Sequence, residues 1–202
     1  MNSKRRLLAL LAATAAFLSL TPAQAALQAR DYNNDGTIDG LYDADLNVTW
    51  LSNAGLSSLS TFAQASSWAS SLVVDGISGW RLPTDSVVCA GYNCTTSEMG
   101  HLFYTELGST APQHMNAGDL QFLTFTGYWS GTVDSARSGQ AWAFSTIDGQ
   151  QFSAANSNKY SALAVHSGDI LAAVPEPETL AMLLAGLGLI GAIARRRKVQ
   201  TT

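Results

Sequence analysis

Thr126-Gly127-Tyr128-Trp129-Ser130-Gly131-Thr132, Gln140-Ala141-Trp142-Ala143-Phe144-Ser145, Asp148-Gly149 and Lys159-Tyr160-Ser161-Ala162-Leu163-Ala164-Val165-His166 form the series whose reading decides the fold. Each longer run alternates over the length of a short strand, and Asp148-Gly149 is a dipeptide suited to a tight turn. A small antiparallel sheet follows from that pattern.

Working outward toward the start of the chain, the period changes. Met99, Leu102, Phe103 and Leu107 lie on one helical stripe that Gly108 ends. Thr95 and Glu98 have the spacing of a capping box, which predicts a start near Thr96. A second stripe, Phe62, Ala65, Trp68, Ala69 and Leu72, predicts a helix of about three turns before the breakers Asp75-Gly76 and Ser78-Gly79. Trp68 on that stripe reads as core rather than as a platform for sugar. Leu41 to Leu51 reads as a turn and a strand with Leu46, Val48 and Trp50 alternating. The fold class is therefore α+β, with small antiparallel sheets and two helices. Arg81 and Glu98 are of opposite charge and are expected to pair, fixing the two-helix arrangement.

Chemistry-bearing residues are sparse. Cys89 and Cys94 are the only cysteines, and a close pair in an oxidising compartment is expected to form a disulfide. A zinc site there needs two more ligands, for which His101 is the nearest candidate, and no Cys-x-x-Cys redox spacing exists. His101, His114 and His166 are scattered, and no Gly-x-Ser-x-Gly nucleophile motif is present. The expectation is of no catalytic residues. Tyr92, Tyr128 and Trp142 stack on sugars if they are exposed, although core packing suits Trp129 and Trp142 better.

One stretch points to a cation. Asp31, Asn33, Asp35 and Asp39 occupy positions 1, 3, 5 and 9 of a loop with Gly36 at the turn and the Thr37 carbonyl at position 7, the front of an EF-hand-like pattern. Calcium wants six to eight oxygens, and such a loop supplies several. The pattern departs at position 12, where Tyr42 stands in place of a bidentate Glu; Asp43 or Asp45 substitutes only if the chain bends differently. The Asp-rich stretch 31–45 is read either as a calcium loop or as an acidic turn between two strands.

Both ends carry targeting signals. Lys4, Arg5 and Arg6 precede an apolar run from Leu7 to Leu20, and Ala23-Gln24-Ala25 supplies small residues for cleavage, so residues 1–25 read as a secretory signal peptide. At the other end an uncharged stretch, residues 179–194, is followed by Arg195, Arg196, Arg197 and Lys198. At about 1.5 Å per residue it reaches about 24 Å, a span slightly shorter than a hydrocarbon core of about 30 Å, which snorkelling or thinning of the bilayer accommodates. The cations place the terminus on the cytoplasmic side. Between the signals, residues 26–173 read as one domain. Ala26 to Val174 contains four cations (Arg30, Arg81, Arg137, Lys159) against thirteen Asp and Glu, a net charge of −9, compared with −4 for the whole chain. Such a surface repels phosphates, which excludes nucleic acid as a partner.

Two family resemblances follow. Pro175-Glu176-Pro177, the apolar stretch and the basic cluster closely resemble the PEP-CTERM sorting tail, here residues 174–198. The resemblance implies signal peptidase and an exosortase as processing partners, transient inner-membrane insertion, and then the cell surface or extracellular matrix. Trp80, Arg81, Leu82, Pro83 and Thr84, with Glu98 and with Tyr128, Trp129 and Ser130, resemble the Lcl C-terminal-like domain over residues 45–168. That likeness implies a fold akin to C-type lectins and formylglycine-generating enzymes. The chain departs from the pattern at Val165-His166, where Val-Arg is usual. The function implied is a non-catalytic, exported module that binds glycan or protein and is linked to exopolysaccharide and biofilm; the alternative is an enzyme acting on matrix polysaccharide.

Overall fold

The structure is a computed structural model and describes residues 27–86 and 89–170. The expected signal peptide, sorting tail and membrane helix all lie outside the described residues, among which no helix is long and apolar enough to cross a membrane.

Two four-stranded sheets organise the domain. The first joins β1 (Gln28–Arg30), β2 (Gly40–Asp43), β3 (Val48–Leu51) and, from the far end of the chain, β8 (Val165–Ser167), all antiparallel. Leu41, Trp50 and Val165 stand side by side in its register, each fully buried. Strand side chains alternate between faces, so this row defines the core face.

The second sheet has the order β6 (Gln151–Ala155), β5 (Gln140–Ser145), β4 (Gly127–Val133), β7 (Ser161–Ala162). Its two faces pack against different partners. Tyr128 and Phe144 join Trp50, Met99, Leu102 and Phe103 in the larger core. Trp129 lies in register with Ala143 and Ala162, and those small neighbours make room for the indole against Ala65 and Ala69 of α1 (Phe62–Ser71). Burial on both faces explains why β4 reads Tyr-Trp without a polar residue between.

The expected sheet is present, with two differences. β7 runs parallel to β4, and β8 has left for the other sheet. The single run 159–166 thus serves both sheets, and Leu163 and Ala164 between the two strands are buried. Positions 40–43, expected as a turn, form β2, Leu46 falls in the turn that follows rather than in the strand, and β6 carries no strand reading in the sequence.

α1 is capped by Thr61, with Gln64 returning to the Thr61 amide, which satisfies amides left open at a helix start. The second helix starts differently from expectation. Its cap is Ser97, whose Oγ accepts from the Gly100 amide at 3.0 Å, and not Thr95, because Glu98 is engaged elsewhere. α2 (Glu98–His101) is one turn long and widens at once into a π-helical turn, Leu102–Glu106, closed by the Leu107 amide on the Leu102 carbonyl at 3.0 Å. Such turns are rare and concentrate at functional sites.

Candidate functional site

The motif residues Trp80 to Thr84 turn out to be a seam. The Arg81 backbone exchanges two hydrogen bonds with Val165 of β8, while the Pro83 carbonyl accepts from Gly131 of β4 at 2.7 Å. The segment therefore bridges both sheets. Arg81 forks onto Glu98 with two contacts of 2.7 Å, and Glu98 Oε2 also accepts from the Thr84 amide at 2.7 Å. The pair fastens the seam to α2, correcting the expectation that it fixes one helix against the other. Trp80 is buried, donates to the Ile77 carbonyl and meets His166 edge-on.

Tyr128 and Trp142 are also buried, so neither offers a face to sugar. The Tyr128 hydroxyl accepts from Thr124 N, and the Trp129 indole donates to the Ser60 carbonyl at 2.9 Å. The Ser130 side chain accepts from the Thr132 amide at 3.1 Å and is buried. Tyr92 remains exposed, with its hydroxyl 3.3 Å from Asp148.

Cys89 and Cys94 form a disulfide. The loop they close is stitched to β6, since Gly91 and Gln151 exchange backbone hydrogen bonds of 2.8 Å and the Gln151 amide donates to the carbonyls of Ser86 and Cys89. The bond consumes both thiols, which removes the zinc site with His101 as a third ligand.

The Asp-rich stretch divides into two turns with β2 between them. In the first, residues 31–39 between β1 and β2, Asp31 accepts from the Asp35 and Gly36 amides at 3.2 and 2.8 Å, Asn33 from Asp35 N at 2.9 Å and Asp35 from Thr37 N at 2.8 Å. Each amide takes one lone pair and leaves others for a cation. Hydrogen bonds from Thr37 and Asn33 hold the Asp35 carboxyl below the usual range. Burial pushes Asp39 up against the Tyr32 amide that stabilises its charge, and the charges of Asp75, Asp35 and Asp31 add to the rise. Asp75, a helix breaker in the sequence, follows α1 and accepts from Asn33 Nδ2 at 3.1 Å. Asp75 thus stands beside the turn, while position 12 of the pattern gives no carboxylate. Tyr42 at that position instead donates to Asn47 and carries the Arg30 guanidinium over its ring.

Asp43 and Asp45 do not bend toward this loop. They belong to the second turn, where Asp43 Oδ1 accepts from the amides of Asp45 and Leu46 at 3.1 and 3.0 Å. Asp43 Oδ2 points the other way, 3.8 Å from His101 Nε2, with Asp45 Oδ2 at 3.9 Å and Glu106 Oε1 at 3.1 Å from the same nitrogen. Burial and the nearby Asp43 charge push the Glu106 carboxyl up, and His101 opposes the shift. No sequence motif links these four positions.

A shallow groove of about 360 Å³ opens beside α1, lined by Leu56, Ser57, Leu59, Gln64, Trp68 and Lys159. Trp68 is half-buried, so the indole contributes to the core and to the groove. An aromatic edge with hydroxyl and amide partners is a chemistry suited to sugars.

The described domain is thus a two-sheet α+β unit preceding a separate terminal signal. Residues 173–198 match the PEP-CTERM protein-sorting motif, so the chain carries the signal of proteins that are processed by exosortase and exported. The match covers Pro175, Glu176, Pro177 and the cluster Arg195, Arg196 and Arg197, and leaves the domain before it outside. No curated protein matches the chain.

Proposed function

We propose that this chain is a non-catalytic exported module, trimmed by an exosortase and kept at the cell surface or in the extracellular matrix, where its domain binds a glycan linked to exopolysaccharide and biofilm. The observation that carries the reading is the sorting motif over residues 173–198. The groove beside α1 supports the glycan part: Trp68 supplies an apolar face, and Ser57 and Gln64 supply hydrogen bonds. The net charge of −9 favours neutral over sulfated sugars. The Trp80 to Thr84 seam is consistent with the Lcl C-terminal-like resemblance, and calcium at Asp31, Asn33, Asp35, Thr37 and Asp39 steadies the first turn.

The enzyme alternative draws on His101 among carboxylates, an arrangement with proton-transfer chemistry. Glu98 contributes nothing to it, because both its oxygens are engaged by Arg81 and the Thr84 amide.

Two measurements test the proposal. Intact mass of the protein recovered from its host is expected to lack both terminal segments, and Glu176→Ala is expected to accumulate a longer membrane-bound form; an unprocessed parent in the cell interior overturns the sorting part. On a glycan array, saturable binding that falls at least tenfold in Trp68→Ala supports the groove. Release of product from matrix polysaccharide, abolished in His101→Ala, overturns the non-catalytic reading.

A further inference from the structure

The π-turn has a chemical product. Residues five apart on an α-helix stand about 140° apart around its axis, yet His101 Nε2 and Glu106 Oε1 approach to 3.1 Å. The widened turn brings them onto one face. Opposite them, the turn between β2 and β3 presents Asp43 and Asp45. Among the described residues, the ion pairs of Asp43, Asp45 and Glu106 all converge on this single ring nitrogen.

The burial of these groups is what asks for a ligand. The side chains of Asp43 and Glu106 are 0 % exposed, and His101 is 13 % exposed. Asp43 Oδ2 and Glu106 Oε2 are buried without any hydrogen-bond partner. A buried carboxylate oxygen left unpaired is costly, and such groups are ordinarily paired or bound to metal. One imidazole cannot pair with three carboxylates. Ligand atoms of Asp43, His101 and Glu106 all lie within 4.8 Å of one another.

We propose that Asp43, His101 and Glu106, with Asp45 closing the outer side, bind a divalent transition metal of the zinc class. Metal–ligand distances of about 2.0–2.1 Å in a tetrahedron put ligands about 3.3 Å apart, and the spacings of 3.1, 3.8 and 3.9 Å from His101 Nε2 bracket that value. The imidazole nitrogen separates this site from calcium and magnesium, which take oxygen ligands. Asp43 is already oriented, because the Asp45 and Leu46 amides hold Oδ1 and aim Oδ2 inward. The ion cross-links the β2–β3 turn to the helix, and the site shares no residue with the acidic turn at 31–39.

The test is titration of the full chain in detergent with Co2+, followed by its displacement with Zn2+. One equivalent of Co2+ is expected to give the visible absorption of a four-coordinate ion, removed by Zn2+ and untouched by excess Ca2+. Asp31→Ala is expected to bind like the parent. His101→Gln is expected to lose the absorption; Asp45→Asn, an exposed substitution that spares the core, is expected to weaken binding at least tenfold. Absence of the absorption in the parent, or parental affinity in either His101→Gln or Asp45→Asn, overturns the proposal.

Discussion

Asp85 shows how one side chain sets a pH dependence. It is 8 % exposed, neither carboxylate oxygen makes a close hydrogen bond, and burial pushes its carboxyl up to about 7, with the Ser130 hydroxyl only moderating the rise. In the unfolded chain the group ionises near the ordinary value of about 4. Between those values the folded state holds the extra proton, so this contribution to stability is complete below about pH 4 and is lost as pH rises through about 7. Three pH units correspond to roughly 4 kcal/mol, an order-of-magnitude figure. Asp85→Asn is expected to melt at the same temperature as the parent or lower at pH 4 and several degrees higher at pH 8; parallel melting curves across that range refute the assignment. Arg81 and Glu98, by contrast with the unpartnered Asp85 oxygens, are fully hydrogen-bonded in a fork closed on a backbone amide. Glu98→Gln is expected to cost about 2 kcal/mol in urea unfolding, a figure kept low because Arg81 is one-third exposed.

Among the elements, α2 is the most constrained for its length. A Cβ on Gly100 would run into the Cys94 carbonyl oxygen and stand 2.7 Å from Ser97 Oγ, so helix and disulfide loop touch through the bare backbone. Gly100→Ala is expected to destabilise by about 3 kcal/mol, and Ser97→Ala by about 1 kcal/mol through loss of the cap. Both read out as shifts in the urea midpoint. The disulfide closes a loop of sequence separation 5, for which chain entropy gives about 2 kcal/mol. Alkylation of the unreduced protein is expected to leave its mass unchanged, and alkylation after reduction to add two groups.

The same elements show what the sequence makes legible. Phe62, Ala65 and Ala69 announce α1 because one face meets one sheet over nearly three turns, and Tyr128-Trp129 announces a strand buried on both sides. The π-turn leaves no such mark: Met99, Leu102, Phe103 and Leu107 satisfy an α-helical stripe while the backbone inserts a wider turn among them. The Asp43–His101–Glu106 group was hidden for a different reason. It depends on a turn and a helix distant in sequence: Asp43 reads only as a conditional stand-in at the twelfth loop position, His101 as a candidate beside the cysteines, and Glu106 carries no reading. Glu98 misled because Thr95 and Glu98 have capping spacing while the carboxylate serves Arg81.

At the scale of the molecule, the first and last strands among the described residues share one sheet. Arg30, at the end of β1, passes over the Tyr42 ring and reaches Asp169, just after β8, at 2.7 Å and 2.8 Å. Its guanidinium thus ties the end of β1 to the residues that follow β8. Asp169→Asn is expected to raise amide hydrogen exchange in β1 about tenfold while leaving β4 and β5 unchanged, measurable by mass spectrometry; equal protection in both proteins would show that the clamp carries no weight.

This clamp bears on what happens when the precursor is cut. Arg30 meets Asp169 at 2.7 Å, Ile170 after it packs against the larger core, and the sorting motif begins at residue 173. Both sheets are complete by Ser167, so a cut beyond residue 173 removes none of their strands. The strands are thus all encoded ahead of the signal that addresses the chain.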